Sequence, residues 1–598
     1  MSDRPDIVIL MTDEERATPP YETPELLAWR DRMLLGRRWF DDHGVSFGRH
    51  YTGSLACVPS RPTIFTGQYP DLHGVTQTDG IGKTADDSRM RWLRPGEVPT
   101  LGNWLRAAGY DTHYDGKWHI SHADLTDPDT GGSLATNDDD GVVDPVAVQR
   151  YLDADPLGPY GFSGWVGPEP HGALMGNAGI RRDPLIADRV VAWLTDRYAR
   201  RRAGDPDALR PFLLVASFVN PHDIVLFPLW SRRSPVKPSP LDPPAVAPAP
   251  TADEDLSTKP AAQIAFRGAY YSGYGPAPAI DRTYERGAQR YRDLYYRLHA
   301  EVDGPIDRVR RTVTEAGSDD AVLVRTADHG DLLGAHGGLH QKWFNLYDEA
   351  TRVPFVIARI GTRATQPRAV TAPTSHVDLV PTLLGAAGVD VAKAAATLAE
   401  SFSEVHELPG RDLMAVVDGA PADETRAVYL MTRDNMLEGD SGASGLARRL
   451  KITANPPAPL RIRVPAHTAS NFEGLVVRVD EGAGAGHLWK LVRTFDDPGT
   501  WTEPGVRHLA ANGIGGEAYR TSPLDDQWEL YDLTADPIEA DNRWTDPDLH
   551  ELRQHLRMQL KQARAGSVPQ RNQPWPYVTR RPTARPSWRR MLTSRSRA

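Results

Sequence analysis

The 598-residue chain has a single cysteine, Cys57, so it can form no internal disulfide. No stretch approaches the roughly 18 consecutive apolar residues of a membrane helix, and no membrane partner is expected. The opening residues lead straight into the apolar run Ile7–Met11, with no basic region before a long apolar stretch. A secretory signal is therefore not expected, and the cytoplasm is the simplest compartment. Basic charge is not in excess either. A formal net charge of −10 argues against nucleic acid as the main partner. It leaves room for an anionic substrate, because a local cationic site can sit inside an acidic shell. There is no internal repeat.

What is present suits a folded globular protein: 40% of residues are apolar and 25% charged. The length predicts a large principal domain plus a smaller one. Asp6–Met11, Tyr110–Tyr114, Phe212–Val219, Ala321–Thr326 and Val353–Ile360 read as strands. Helical spacing covers Val98–Ala108, Asp183–Arg201 and Tyr284–Ala316. It also covers Pro24–His43, with Leu26, Leu27, Met33, Leu34 and Trp39 as candidate core positions. Strands alternating with helices predict an α/β fold, a large and mostly parallel sheet sandwiched by helices.

After about residue 425 the texture changes. Short β-prone runs at Leu475–Val479, Leu488–Val492 and Trp528–Leu533 predict a smaller α+β domain with an antiparallel sheet. The expected division is 1–424, 425–565 and a basic tail, 566–598. From Arg571 on, the tail has eight arginines and no acid, with Trp575 and Trp588. It reads as an arm, an assembly element or a disordered end. Ser234–Lys259, rich in Pro and Ala, reads as a long surface loop, a lid or a disordered stretch.

Two strand ends carry candidate chemistry. Ile7–Met11 runs into Asp13 and Glu14, and Ala321–Thr326 runs into Asp328 and His329. Ligands of open α/β sheets bind beyond the carboxyl ends of the strands. If these strands are neighbours, three carboxylates and an imidazole converge, a set suited to Ca²⁺ and also to Mn²⁺. Either pair alone is more often a helix start or a solvated turn.

The third feature is Cys57-Val58-Pro59-Ser60-Arg61, followed by Thr66-Gly67. A lone Cys is usually a small buried hydrophobe. Here the nearby Pro fits the first turn of a helix, whose N-terminus favours a nucleophile or an anion.

This run resembles the sulfatase signature C-x-P-S-R-x-x-x-x-T-G. The resemblance implies an alkaline phosphatase-like fold in which Cys57 is oxidised to formylglycine by a formylglycine-generating enzyme. The hydrated aldehyde would attack the sulfur of a small sulfate ester, and its second hydroxyl would collapse the adduct to release sulfate. By the same resemblance Asp13, Glu14, Asp328 and His329, with modified Cys57, hold one divalent metal. Arg61 anchors the formylglycine loop. Lys117 and His119, in Gly116-Lys117-Trp118-His119, contact the sulfate and orient a formylglycine hydroxyl. His222, in Asn220-Pro221-His222, protonates the leaving oxygen, and Lys342 is the second sulfate lysine. Ser375–Thr382 and Glu529–Leu533 are further landmarks, so the resemblance runs from about residue 6 to 542. Two departures stand out: Glu14 where the family commonly has Asp, and Gln68 where it often has Arg.

The function implied is hydrolysis of an organic sulfate ester, with arylsulfatase-like chemistry. A related alternative is a phosphonate monoester hydrolase or phosphodiesterase, which tends to carry Tyr and Thr in place of the Gly-Lys-Trp-His segment. A non-catalytic, anion-binding family member is the third reading. His113, His122, His171, His336 and His340 receive no role, although His336 and His340 lie near the metal segment. A homo-oligomer is left open.

Overall fold

A computed structural model describes residues 4–574, apart from 171–174, 232–233, 317–319, 439–441, 453–456, 464–467 and 514–515. The main sheet has seven strands. In chain order they are β1 (Asp6–Asp13), β2 (Val45–Phe47), β3 (Asp111–Gly116), β4 (Phe212–Pro221), β5 (Asp320–Ala327), β6 (Phe355–Gly361) and β7 (Arg368–Val370). Their spatial order is β3-β4-β1-β5-β6-β2-β7. The four from β3 to β5 are parallel, and β6 runs antiparallel to both β5 and β2.

The pattern of β1 explains the layers. Ile7, Ile9 and Met11 face one cluster, with Ile64 and Phe65 of the Cys57–Thr66 helix and Leu379, Val380 and Leu383 of the Leu379–Ala386 helix. Val8 and Leu10 face the other, with Ile186, Val190 and Leu194 of Gly179–Arg202 and Ile306 and Val309 of Ala277–Ala316. Successive strand residues point to opposite faces, so a strand covered on both sides must be apolar throughout.

The second sheet comprises β8 (Val428–Thr432), β9 (Asn471–Arg478), β10 (Leu488–Phe495) and β11 (Gln527–Asp532), antiparallel in sequence order. One face packs on Leu552, Leu556 and Leu560 of the His550–Ser567 helix. Residues of the other face, including Leu430, Val476 and Val492, join a core with Leu346 and Tyr347. Among the described residues no single helix is long and apolar enough to cross a membrane.

Two expectations are corrected, and a third is made more specific. Pro24–His43 is two helices, Pro24–Met33 and Leu35–His43, broken at Leu34. The second takes its N-terminal cap from a distant side chain: Asp303 accepts the N–H groups of Gly36 (2.8 Å) and Arg37 (3.0 Å). Leu27, expected in the core, is 40% exposed. The Ser234–Lys259 stretch is the long loop expected, and it is fastened to the fold. Leu256 is fully buried, Val246 N–H bonds Asp293, and Lys259 donates to Tyr531 and to the carbonyls of Glu539 and Ala540 beside β11. The tail begins docked, with Asn572 and Gln573 N–H on Glu404. Residues 575–598, with the rest of the tail, lie outside the described residues.

Candidate active site

β1 and β5 are adjacent and in register, Thr12 opposite Ala327. Asp13 and Asp328 therefore emerge side by side at the carboxyl edge. The Cys57–Thr66 helix starts over that edge, and Ser60 Oγ donates to the Asp328 carbonyl at 2.6 Å. Arg61, fully buried, ties both strand ends to the helix. Its Nε donates to Asp328 Oδ2 and its Nη2 to Asp13 Oδ2, each at 2.9 Å. Nη1 reaches the Lys117 carbonyl (2.6 Å) and Ser217 Oγ (3.0 Å).

Cys57 is 1% exposed. Its Sγ lies 3.1 Å from His329 Nε2, 3.7 Å from Asp13 Oδ1 and 3.9 Å from Lys117 Nζ. Lys117 Nζ pairs with Asp13 Oδ2 at 2.6 Å. Lys342 Nζ pairs with Glu14 Oε2 at 3.0 Å, and His222 Nε2 lies 4.0 Å from the same oxygen. His119 follows Lys117 by two residues, and its Nε2 meets Asp79 Oδ1 at 2.8 Å. Its backbone has φ 53°, and Glu169 accepts the N–H of both Trp118 and His119.

Burial and charge oppose each other here. Burial pushes the Asp13 carboxyl upward, but Lys117, His222, Arg61 and His329 outweigh it and hold the group well below the usual range. Glu14 has less help: burial, with Asp331 and Asp13 nearby, overcomes Lys342 and raises it well above that range. Burial, reinforced by Asp13, raises the Cys57 thiol. Burial also lowers His329, which favours the neutral imidazole a metal needs.

Ligand atoms of Asp13, Cys57, Asp328 and His329 lie within 4.8 Å of one another, as do those of Asp13, Glu14 and His222. The five expected metal residues thus fall into two groups that share Asp13. Both Glu14 carboxylate oxygens are buried, and Oε2 is met by the Lys342 ammonium. Buried carboxylate oxygens with one imidazole fit a hard divalent cation.

The catalytic candidates Cys57, Arg61, Lys117, His222 and Lys342 all touch this cluster, whereas His119 meets Asp79 through Nε2. Sequence reasoning missed Asp79, Glu169 and Ser217, which act across long separations and belong to no local pattern. The two histidines near the metal segment have partners outside the cluster. His336 is held by Glu349 and Glu254, and His340 stacks against Tyr284 with centroids 4.3 Å apart. His113 stacks on Trp193, and His171 lies outside the described residues.

A mostly parallel sheet whose central strands end in this buried carboxylate–imidazole centre defines a hydrolase of the alkaline phosphatase superfamily. The Sulfatase family model matches residues 5–389, and the chain belongs to that family. The chain is 26% identical over 419 residues to an uncharacterized sulfatase, YidJ, of Escherichia coli, covering 69% of this chain and 70% of that one. It is 26% identical over 411 residues to a choline-sulfatase of Rhizobium meliloti, covering 65% and 68%. Among solved structures, the 2-O GAG sulfatase BT1596 superposes with a TM-score of 0.58 at 20% identity, over 94% of this chain and 93% of that one. A phosphonate monoester hydrolase of Agrobacterium radiobacter gives 0.53 at 20% identity, over 94% and 96%.

Proposed function

We propose that the protein hydrolyses an organic sulfate ester to an alcohol and inorganic sulfate, with a nucleophile made from Cys57. The observation that carries this reading is the position of Cys57. It opens a buried helix and points at His329, Asp13 and Lys117. The formylglycine hydrate would supply two hydroxyls on one carbon, one to attack sulfur and one to expel sulfate. Ca²⁺ is the preferred metal, with Mn²⁺ as the alternative. It would lower the pKa of the attacking hydroxyl and take up negative charge. Asp13, Glu14, Asp328 and His329 would hold it, with modified Cys57.

The remaining work belongs to side chains. Lys117 and Lys342 meet different carboxylates of the centre, Asp13 and Glu14 respectively. They stabilise the sulfuryl oxygens most as the S–O bond stretches. His222, at the end of β4, hands a proton to the leaving oxygen. Asp79 holds Nε2 of His119, and that ring would orient the nucleophile's hydroxyl.

Hydrolysis of phosphonate monoesters or phosphodiesters is the second reading. It draws on the likeness to phosphonate monoester hydrolases, and on 25% identity over 515 residues to the multifunctional alkaline phosphatase superfamily protein PehA of Trinickia caryophylli. The test is to co-express the chain with a formylglycine-generating enzyme and read the Cys57 peptide by mass spectrometry. Sulfate, phosphate and phosphonate esters are then assayed, with metal analysis of the same sample. An aldehyde at position 57 and preferred sulfate-ester turnover support the proposal. A retained thiol, with Cys57→Ala as active as wild type, sinks the mechanism. Preferred phosphonate turnover moves the assignment to the second reading.

A further inference from the structure

Lys342 sits on a strained turn. Gln341 and Phe344, the residues flanking Lys342 and Trp343, have φ of 67° and 61°. That left-handed region is disfavoured for any residue with a Cβ and persists only where the surroundings impose it. Three hydrogen bonds do so here. Leu332 N–H donates to the Gln341 carbonyl at 2.8 Å, and Asn345 Nδ2 donates to the Trp343 carbonyl at 3.0 Å. Trp343 Nε1 donates to Asp434 Oδ2 at 2.8 Å. The Trp343 ring in turn lies 4.8 Å from Lys342 Nζ, close enough for a cation–π contact.

Asp434 lies two residues beyond β8, outside the matched family region, and is 2% exposed. Its other oxygen accepts Thr78 N–H at 3.0 Å. The next residue, Asp79, holds His119. In the same segment Thr432 Oγ1 donates to the Leu55 carbonyl at 2.6 Å, two residues before Cys57. One stretch of the second sheet's chain therefore reaches the loops of Cys57 and Lys342, and the Thr78–Asp79 segment that holds His119.

We propose that Asp434 is a positioning residue of the hydrolytic centre, setting Lys342 through Trp343 and His119 through Thr78 and Asp79. The proposal rests on the sulfate-ester reading above. Without the Asp434 acceptor, a buried indole N–H loses its partner and the strained turn loses one of its three ties. The ring is then free to turn, and the Lys342 ammonium drifts from the charge it must meet. A displacement of about 1 Å at a reacting group can cost about a hundredfold in rate.

The test compares Asp434→Ala, Asp434→Asn, Trp343→Phe and the double variant Asp434→Ala/Trp343→Phe. Each is measured for kcat and KM, for inhibition by inorganic sulfate, for metal content and for thermal melting. The expected results are a fall of about a hundredfold in kcat/KM for Asp434→Ala and about tenfold for Trp343→Phe. Weaker sulfate inhibition should accompany both, with metal content unchanged. Asp434→Asn keeps an oxygen acceptor for the indole and should recover part of the loss. The double variant should be no worse than Asp434→Ala, the sign of two residues acting in one line.

Independent, multiplying losses would overturn the proposal, as would sulfate inhibition unchanged in both single variants. If Asp434→Ala does not fold, Trp343→Phe carries the test alone, and full sulfate inhibition in it overturns the proposal. The wild type is run on all three ester classes. If it turns over no sulfate ester, the sulfatase reading fails, and the coupling is still measured on whichever ester it does cleave. Sulfate turnover with uncoupled variants sinks the Asp434 proposal only.

Discussion

Lys342 Nζ lies 3.0 Å from Glu14 Oε2, so the acid that begins the loop after β1 is clasped by a lysine from the loop before β6. The pair places a buried cation against a carboxylate cluster. Burial, with Asp331 and Asp13 nearby, still outweighs that lysine and leaves the Glu14 carboxyl raised.

Glu14→Ala is therefore expected to lower bound divalent metal per chain and to reduce kcat/KM by about 10²- to 10³-fold, the scale of losing a transition-state charge contact. Elemental analysis and steady-state kinetics check this together. Full metal content in the variant would remove Glu14 from the ligand set.

Arg61 is buried between Asp13 and Asp328. In metal-free protein, Arg61→Met should cost about 3–5 kcal/mol, because two buried carboxylates lose their shared cation. Denaturant unfolding in chelator reads the loss, and added metal should restore part of it. A loss below about 1 kcal/mol, the scale of an exposed pair, would show that the arginine is not the anchor.

His336 makes a pH prediction. Burial alone would lower its pKa, but Glu349 and Glu254 outweigh burial and raise it to about 9. A raised folded value contributes stability that is complete below the ordinary histidine value of about 6.5 and is lost as pH climbs toward 9. The contribution is about 3 kcal/mol at neutral pH and below. His336→Gln should flatten the fall in unfolding free energy between about pH 6.5 and 9. An unchanged slope would assign that fall to other groups.

Leu556 is fully buried between the His550–Ser567 helix and the second sheet. Leu556→Ala should cost about 2–5 kcal/mol through lost burial and the cavity left behind. Thermal melting checks it, and a loss under about 1 kcal/mol would mean that the helix is not part of the cooperative core.

The chemistry was legible where it is local. Strands β1 and β5 are apolar on both faces because helices cover both, and their carboxyl ends carry the acidic residues in plain view. Cys57 to Arg61 is one contiguous run. What stayed hidden acts at a distance. The helix break at Leu34 depends on Asp303, and His119 depends on Asp79 and Glu169. The lysine turn depends on Asp434. The direction of β6 was equally unreadable. The segment 328–354 stays at the carboxyl edge, so the next strand returns from that side without a crossover.

Under the proposed chemistry, the burial of Cys57 sets an order of events. A modifying enzyme must draw that side chain into its own active site, yet in the finished fold the whole Cys57–Thr66 helix is buried and Arg61 bolts it to two strand ends. Extracting it would mean dismantling the centre of the main sheet. Under the proposed chemistry, conversion therefore belongs to the interval between synthesis and folding. The active fraction becomes the outcome of a race: slower folding leaves the cysteine within reach for longer, and a chain that folds first is sealed as the thiol.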